Sequence, residues 1–302
     1  MAKKSATPRI RKKISKKSVI KTETTKLHKR LPSAWSLTKK SIGLLWQNRI
    51  LFFGIAAVYA LLTFIFVGIA SSSDVNSLKA SFGSNFSIGN AFNVFVNLLG
   101  TNSDSSNVAA GVYQFILSII VSLAIIWAYR QVVAGSRIRI RDSFYQGMYA
   151  LVPFVFILLV IGLELLPLLI GSVIYSLVIG NGIAVVMFEK ILWGLMFGAS
   201  ALTSLYLLSS SIFALYIVTL PDMTPFKALR SAHSIVKGRR ILLIRKILFL
   251  PLLLFILATV IMLPFIIWMT ALTHMVFFLI SMSVLLVVHG YFFTLYRELI
   301  NE

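Results

Sequence analysis

Apolar residues in this chain come in long unbroken runs, not in the alternation of a half-buried strand or the narrow stripe of a water-facing helix. Six runs stand out, at residues 50–70, 108–129, 150–179, 191–220, 247–270 and 272–296. A helix needs about 20 mostly apolar residues to cross the hydrocarbon core of a bilayer, and every run meets that length. The third and fourth exceed it, which implies tilt or extension past the bilayer. The fifth and sixth are separated by almost nothing and predict a tight hairpin. The expected fold is all-α: a polytopic bundle of six transmembrane helices within residues 31–302, preceded by a basic tail over 1–30.

The polar segments between the runs sort by charge. Residues 1–49 hold 15 Lys and Arg, the second connection holds Arg130, Arg137, Arg139 and Arg141, and the fourth holds seven between Lys227 and Lys246. Arg297 follows the last run, while the odd-numbered connections carry only Lys79 and Lys190. Cytoplasmic connections are the ones enriched in Lys and Arg. The alternation therefore predicts both termini in the cytoplasm and an even number of spans. The first apolar run begins at residue 50, too far along for a cleavable signal peptide, so it reads as a first transmembrane helix and the expected location is the inner (cytoplasmic) membrane. Trp46, Trp127, Tyr129, Trp193, Tyr216, Trp268 and Tyr296 lie near span ends, where amphipathic rings favour the headgroup level.

Composition sharpens this picture. Charged residues make up 13 % of the chain, against about 25 % in an ordinary soluble domain, so lipid must cover much of the surface. The formal net charge of +20 sits beside apolar runs, which points to anionic lipid headgroups as the first partner and not to nucleic acid. Cysteine is absent, which removes disulfides, thiolate metal sites and thiol nucleophiles. The first 30 residues carry 12 Lys and Arg among Ser and Thr, a composition that predicts disorder. The connection over 71–107 is rich in Ser, Asn and Gly, and its apolar piece at 92–99 has the length of a short interfacial helix.

Three of the basic segments have helical periodicity. In residues 222–238, Thr224 suits an N-cap, Pro225 the first helical position and Gly238 the stop. Phe226, Leu229, His233 and Val236 recur at helical spacing with Ala232 beside them, while Lys227, Arg230, Ser231, Ser234 and Lys237 fall on the other face. This predicts an amphipathic helix in the inner interface, with Lys227, Arg230, Lys237, Arg239 and Arg240 toward lipid headgroups. Similar lead-ins occupy 32–49 and 141–149. Each odd-numbered span thus follows a basic lead-in, which suggests a threefold repeat of interfacial helix, span out and span back.

The stretch from Leu220 to Ile244, with Pro221 and then Ala228-Leu-Arg-Ser-Ala-His-Ser-Ile-Val-Lys-Gly238, resembles a group of six-span bacterial membrane proteins. That group includes the membrane domain found ahead of some glycerophosphoryl diester phosphodiesterases and several uncharacterised inner-membrane proteins. The lead-in Trp35-Ser-Leu-Thr-Lys-Lys40 is similar to theirs as well. The resemblance implies the topology. It does not imply the phosphodiesterase activity, which resides in a soluble barrel that nothing after Tyr296 encodes, and it supplies no catalytic residues.

Candidate chemistry is sparse. Glu164 lies inside the third run, three residues before Pro167, and an acid there costs at least ~2.5–3.5 kcal/mol on insertion scales. By counting from the span end it sits about 14 residues deep, roughly 21 Å at 1.5 Å per residue. The same count brings Tyr206 of the fourth run to that depth, with Thr203 and Ser204 close by. Two readings stand: a Glu bonded to Tyr206 or Ser204 that clamps spans three and four together, or a proton- or substrate-coupled site. His289, in the sixth run, reads as a hydrogen-bonded packing residue. Ser209, Ser210 and Ser211 read as structural, bonding to the preceding turn or to a neighbour. No nucleophile elbow, phosphate loop, dinucleotide fingerprint or metal-ligand spacing appears. We therefore expect no catalytic, cofactor or metal site. The leading functional reading is a non-enzymatic, structural or assembly-related membrane protein in contact with anionic lipid and possible membrane-protein partners. The alternative is a small transporter or lipid-handling protein using Glu164.

Overall fold

The computed structural model describes residues 32–66, 108–136 and 138–300. The expectations for the tail over 1–30 and the connection over 71–107 lie outside the described residues. Nine α-helices follow one another among those described: α1 (Ala34–Gln47), α2 (Arg49–Phe66), α3 (Val108–Val133), α4 (Ile140–Gly147), α5 (Leu151–Gly180), α6 (Met187–Ile217), α7 (Pro225–Val236), α8 (Arg240–Trp268) and α9 (Thr270–Ile300). Six helices are long and apolar enough to cross a membrane, and no strand occurs among the described residues. The protein is an all-α, multi-pass helical bundle.

The span limits differ from the apolar runs where charge is admitted into a helix. α8 begins at Arg240, well before residue 247, and carries Arg245 and Lys246 within its first two turns. Long cationic side chains lay their stems along apolar surface and keep their heads in a polar layer, so they do not terminate a helix. α6 likewise starts at Met187, and its Glu189 carboxylate accepts the backbone N–H groups of Val185 (3.0 Å) and Val186 (3.3 Å), capping that end.

The three lead-ins are the helices α1, α4 and α7, the last two joined to their spans by a short turn. Local chemistry sets their limits. Ser33 caps α1 by accepting the Ser36 N–H at 3.2 Å, and Thr224 and Pro225 occupy the N-cap and first positions of α7. Gly238 ends the α7 segment at φ +86°, a conformation that favours glycine. None of the three packs chiefly on the span it leads into. α4 packs on α3 and α7 on α6, in each case the span just before it. α1 has no span before it and packs on α9, the last one, which closes the chain into a ring.

Each lead-in touches its partner through residues four apart on one face: Leu37 and Ser41 in α1, Ser143 and Gly147 in α4, Ala228 and Ala232 in α7. Small side chains let backbones approach. A Cβ on Gly147 would stand 3.1 Å from the Ala124 backbone, and one on Gly290 would stand 2.2 Å from the Tyr129 hydroxyl and 2.4 Å from that of Ser41. This corrects the expected faces of α7. Its Ala228, Ala232 and Val236 edge meets the protein, while Phe226 turns outward against Phe156 and His233 is exposed. Close packing on α6 demands the smallest residues, so the bulky ones are displaced to the rim.

Burial concentrates at the end of the bundle that carries the lead-ins, referred to below as the basic end. Tyr129, Tyr216 and Tyr296 occupy the same place near the ends of α3, α6 and α9, and all three are buried in protein. They therefore do not lie in the headgroup belt expected of them, and their rings pack together through Phe293. Tyr216 stacks on Tyr296 at 6.1 Å between centroids, and Tyr129 stacks on Phe293 at 5.6 Å. Lipid tails are as apolar as leucine, so apolar contact alone holds spans together weakly and polar bonds matter more. The basic end supplies them. The Arg130 guanidinium donates to the carbonyls of Tyr216 (3.2 Å) and Thr219 (2.5 Å) and to the Thr219 hydroxyl (2.5 Å), capping the end of α6. The Tyr291 hydroxyl donates to the Lys246 carbonyl at 3.0 Å, and the Lys246 ammonium donates to the Pro32 carbonyl. An ion pair between Lys40 and Glu298 ties α1 to α9.

Candidate functional site

One cleft gathers most of the polar residues that the sequence singles out. It measures about 1140 Å³ and lies between α5, α6, the end of α7 and the start of α8. Val160, Leu207, Leu229, Ile241 and Leu242 give it apolar walls, and Glu164, Tyr206, His233, Lys237, Arg240 and Arg245 bring the polar groups.

The local fold explains how these residues meet. α6 runs on from Tyr206 to Ile217, eleven residues or about 16 Å of helix. α7 doubles back beside it, so the chain re-enters the bundle at Arg240 level with Tyr206. The Arg240 guanidinium sits over the Tyr206 ring, 4.2 Å from its centroid, and lies 2.9 Å from Nδ1 of His233. The other ring nitrogen of His233, Nε2, lies 3.1 Å from the same guanidinium nitrogen. Both contacts orient Arg240 and neither neutralises its charge.

Glu164 is therefore not isolated in an apolar core, as its place in the sequence suggested. It shares its cleft with cations that the chain reversal carries down to it. Its partner also differs from both residues expected. The Ser211 hydroxyl donates to Oε1 of Glu164 at 2.5 Å, while Oε2 has no hydrogen-bond partner. Tyr206 does lie near the level of Glu164 and lines the same cleft, as the antiparallel contacts of Gly171 with Ser200 and of Leu168 with Ser204 require. The Glu164 side chain leans toward the start of its own helix and so meets Ser211, about one turn further along α6.

Ser204 has another task. Its hydroxyl accepts the backbone N–H of Leu168 at 3.0 Å. Pro167, inside α5, has no N–H and disrupts the helical ladder around it. A hydroxyl from the neighbouring span thus satisfies an amide beside the break, which is how proline is tolerated in lipid. Ser209 and Ser210 donate to the carbonyls of Tyr206 (2.7 Å) and Leu207 (3.0 Å) in the preceding turn, and Ser211 reaches across to a neighbouring span, the two modes the sequence suggested for this run.

His289 stands apart from the cleft. It is buried among the tyrosines, its Nδ1 3.2 Å from the Tyr216 hydroxyl. Of the five cations expected at lipid headgroups, Lys237, Arg239 and Arg240 line the cleft, while Lys227 and Arg230 lie on the exposed side of α7. Arg245, His233 and Ser211 complete the site; the sequence assigns Ser211 a structural role and His233 a place on the apolar face of α7, and singles out none of the three as a site residue. The available signal was the run Lys237-Gly-Arg-Arg240 ending directly on an apolar stretch, which brings a basic segment back against the bundle. Among the described residues no three His, Asp or Glu side chains come together. Compared with known proteins, the chain matches no family model, no curated protein and no solved structure.

Proposed function

We propose that this multi-pass protein acts without catalysis, as a structural or assembly-related component of the cytoplasmic membrane that grips lipid on its cytoplasmic face. The reading rests on the outward faces of the lead-in helices. Trp35, Ile42 and Trp46 form an exposed stripe on α1, Tyr145 and Tyr149 project beside α4, and Phe226 projects from α7. Trp46 is 65 % exposed, Tyr149 81 % and Phe226 72 %. Each lead-in is thus packed on protein along one edge and apolar along another, an arrangement suited to a helix embedded at the acyl boundary of one leaflet. The charge distribution makes that leaflet the cytoplasmic one, with both termini on the same side. Membership of the six-span group that α7 resembles belongs to this proposal.

Fluorescence tests it. In vesicles of brominated phosphatidylcholine, a variant retaining only Trp35 and Trp46 should be quenched by bromines in the upper acyl chain and shielded from aqueous acrylamide. Strong acrylamide quenching with no effect of bromine would reject the proposal. A reporter fused after Glu302 should register cytoplasm.

A second reading, a small transporter or lipid-handling protein, is favoured by one observation: Glu164 lines a cleft and keeps one carboxyl oxygen without a partner. Glu164→Gln preserves shape and removes titration. Unchanged stability with loss of a cellular phenotype would favour this reading, and a silent Gln variant would remove its support.

A further inference from the structure

We infer that the cleft between α5, α6, α7 and α8 is a binding site for the headgroup and upper chains of one anionic phospholipid, with Arg240 as the oriented cation that receives the phosphate. The inference rests on the lipid-contact reading above, but on a different part of the molecule.

Three observations point to this ligand. The first is the state of Arg240. Tyr206 below it and His233 beside it fix its direction, and among the described residues no carboxylate pairs with it. A half-buried guanidinium that is oriented but unneutralised suits a phosphate, to which it offers two parallel N–H donors. The second is the company it keeps. Lys237 and Arg245 line the same cleft, so the charge offered exceeds what the single acid, Glu164, can balance. The third is the lining as a whole. Leu207, Leu229, Ile241 and Leu242 present hydrocarbon next to the cations, so a small hydrophilic anion would leave most of the wall unused. Phosphate joined to acyl chains fills both parts.

Tyr206 then acts as a positioning residue. Its ring holds the guanidinium by a cation–π contact and need not touch the lipid. Glu164, held by Ser211, lines the same cleft.

The test uses the full-length protein in neutral detergent and follows thermal unfolding against added ligand. A ligand that binds only the folded state raises the melting temperature with the logarithm of its concentration once that exceeds the dissociation constant. Short-chain phosphatidylglycerol should stabilise the protein with this dependence, while short-chain phosphatidylcholine and inorganic phosphate should not. Removing one charge-assisted contact should weaken phosphatidylglycerol binding about tenfold. Arg240→Gln should show this loss, and Tyr206→Leu, which removes only the cation–π support of the guanidinium, a smaller one of a few-fold. Arg245→Gln alters an exposed side chain, so it should fold as the parent does and still bind more weakly, which keeps the test decisive if the Arg240 variant does not fold. Equal stabilisation by phosphatidylcholine, or undiminished binding by Arg245→Gln and the folded Arg240 or Tyr206 variants, would overturn the site. Full stabilisation by inorganic phosphate alone would replace it with a free-anion site. Bromine quenching of Trp35 and Trp46 is measured separately, so failure here leaves the interfacial reading standing, and failure there is seen independently of the cleft.

Discussion

Gly290 is where the ring closure is most exposed to test. A Cβ at this position would lie 2.2 Å from the Tyr129 hydroxyl, 2.8 Å from Tyr129 Cζ and 2.4 Å from the Ser41 hydroxyl. Tyr129 has little room to retreat. Phe52 packs on its ring at 4.4 Å, Phe293 stacks at 5.6 Å on α9, and its hydroxyl donates to the Leu286 carbonyl at 3.3 Å. Gly290→Ala therefore sets two effects against each other. Alanine in the interior of a helix gains about 1 kcal/mol over glycine. Overpacking a filled core costs roughly 1–3 kcal/mol, and losing the Tyr129 hydrogen bond costs about 1 kcal/mol more. The clash prevails, and the expected net loss is about 1–3 kcal/mol. On the scale of a domain this size that lowers an apparent melting temperature by roughly 2–10 °C, readable by size-exclusion after heating in detergent. Tyr129→Phe, which removes the nearest atom, should recover part of the loss when combined with Gly290→Ala. A Gly290→Ala protein that melts at or above the parent temperature, as helix propensity alone requires, would refute the close approach of α1 and α3 to α9.

Other outcomes follow from the same contacts. Gly147→Ala should cost about 1–2 kcal/mol, since the atoms it meets are backbone and yield little; the melting temperature in detergent reads it. Ser204→Ala leaves the Leu168 amide without its partner and should cost roughly 1–3 kcal/mol, whereas Ser209→Ala, which removes a bond within one helix, should be nearly silent in the same assay. Arg130→Lys should destabilise almost as much as Arg130→Met, by about 2–3 kcal/mol, because one ammonium cannot reproduce a fork shared between Tyr216 and Thr219; protease sensitivity of the α6–α7 turn reports it.

The spans were legible because the bilayer imposes a length on apolar runs that few other structures need. The start of α8 was not, because Arg245 and Lys246 read as loop charges although the helix already passes through them. The lead-in helices could be read from caps and periodicity, but their packed faces could not. Periodicity ranks positions by apolarity, and α7 uses Ala228 and Ala232 where size, not apolarity, decides. The tyrosine cluster also left a signal: Tyr129, Tyr216 and Tyr296 recur at the same place in every returning span. Position near a span end suggested lipid headgroups, and only the three-dimensional convergence of α3, α6 and α9 buries them. The partner of Glu164 depended on which way its side chain leans along the helix, which a count of depth does not contain.

The packing of α1 on α9 has a consequence for how the protein is made. Helices enter the membrane in chain order, yet the first finds its partner only when the last has arrived. Until then the Leu37 and Ser41 edge of α1 and the Tyr129 pocket on α3 stay uncovered, and spans two to five must assemble around an unfinished centre. The final 30 or so residues therefore act as the closing piece of the whole bundle. A nascent chain stalled before α9 would present an open basic end to quality-control proteases, however completely its earlier spans had been inserted.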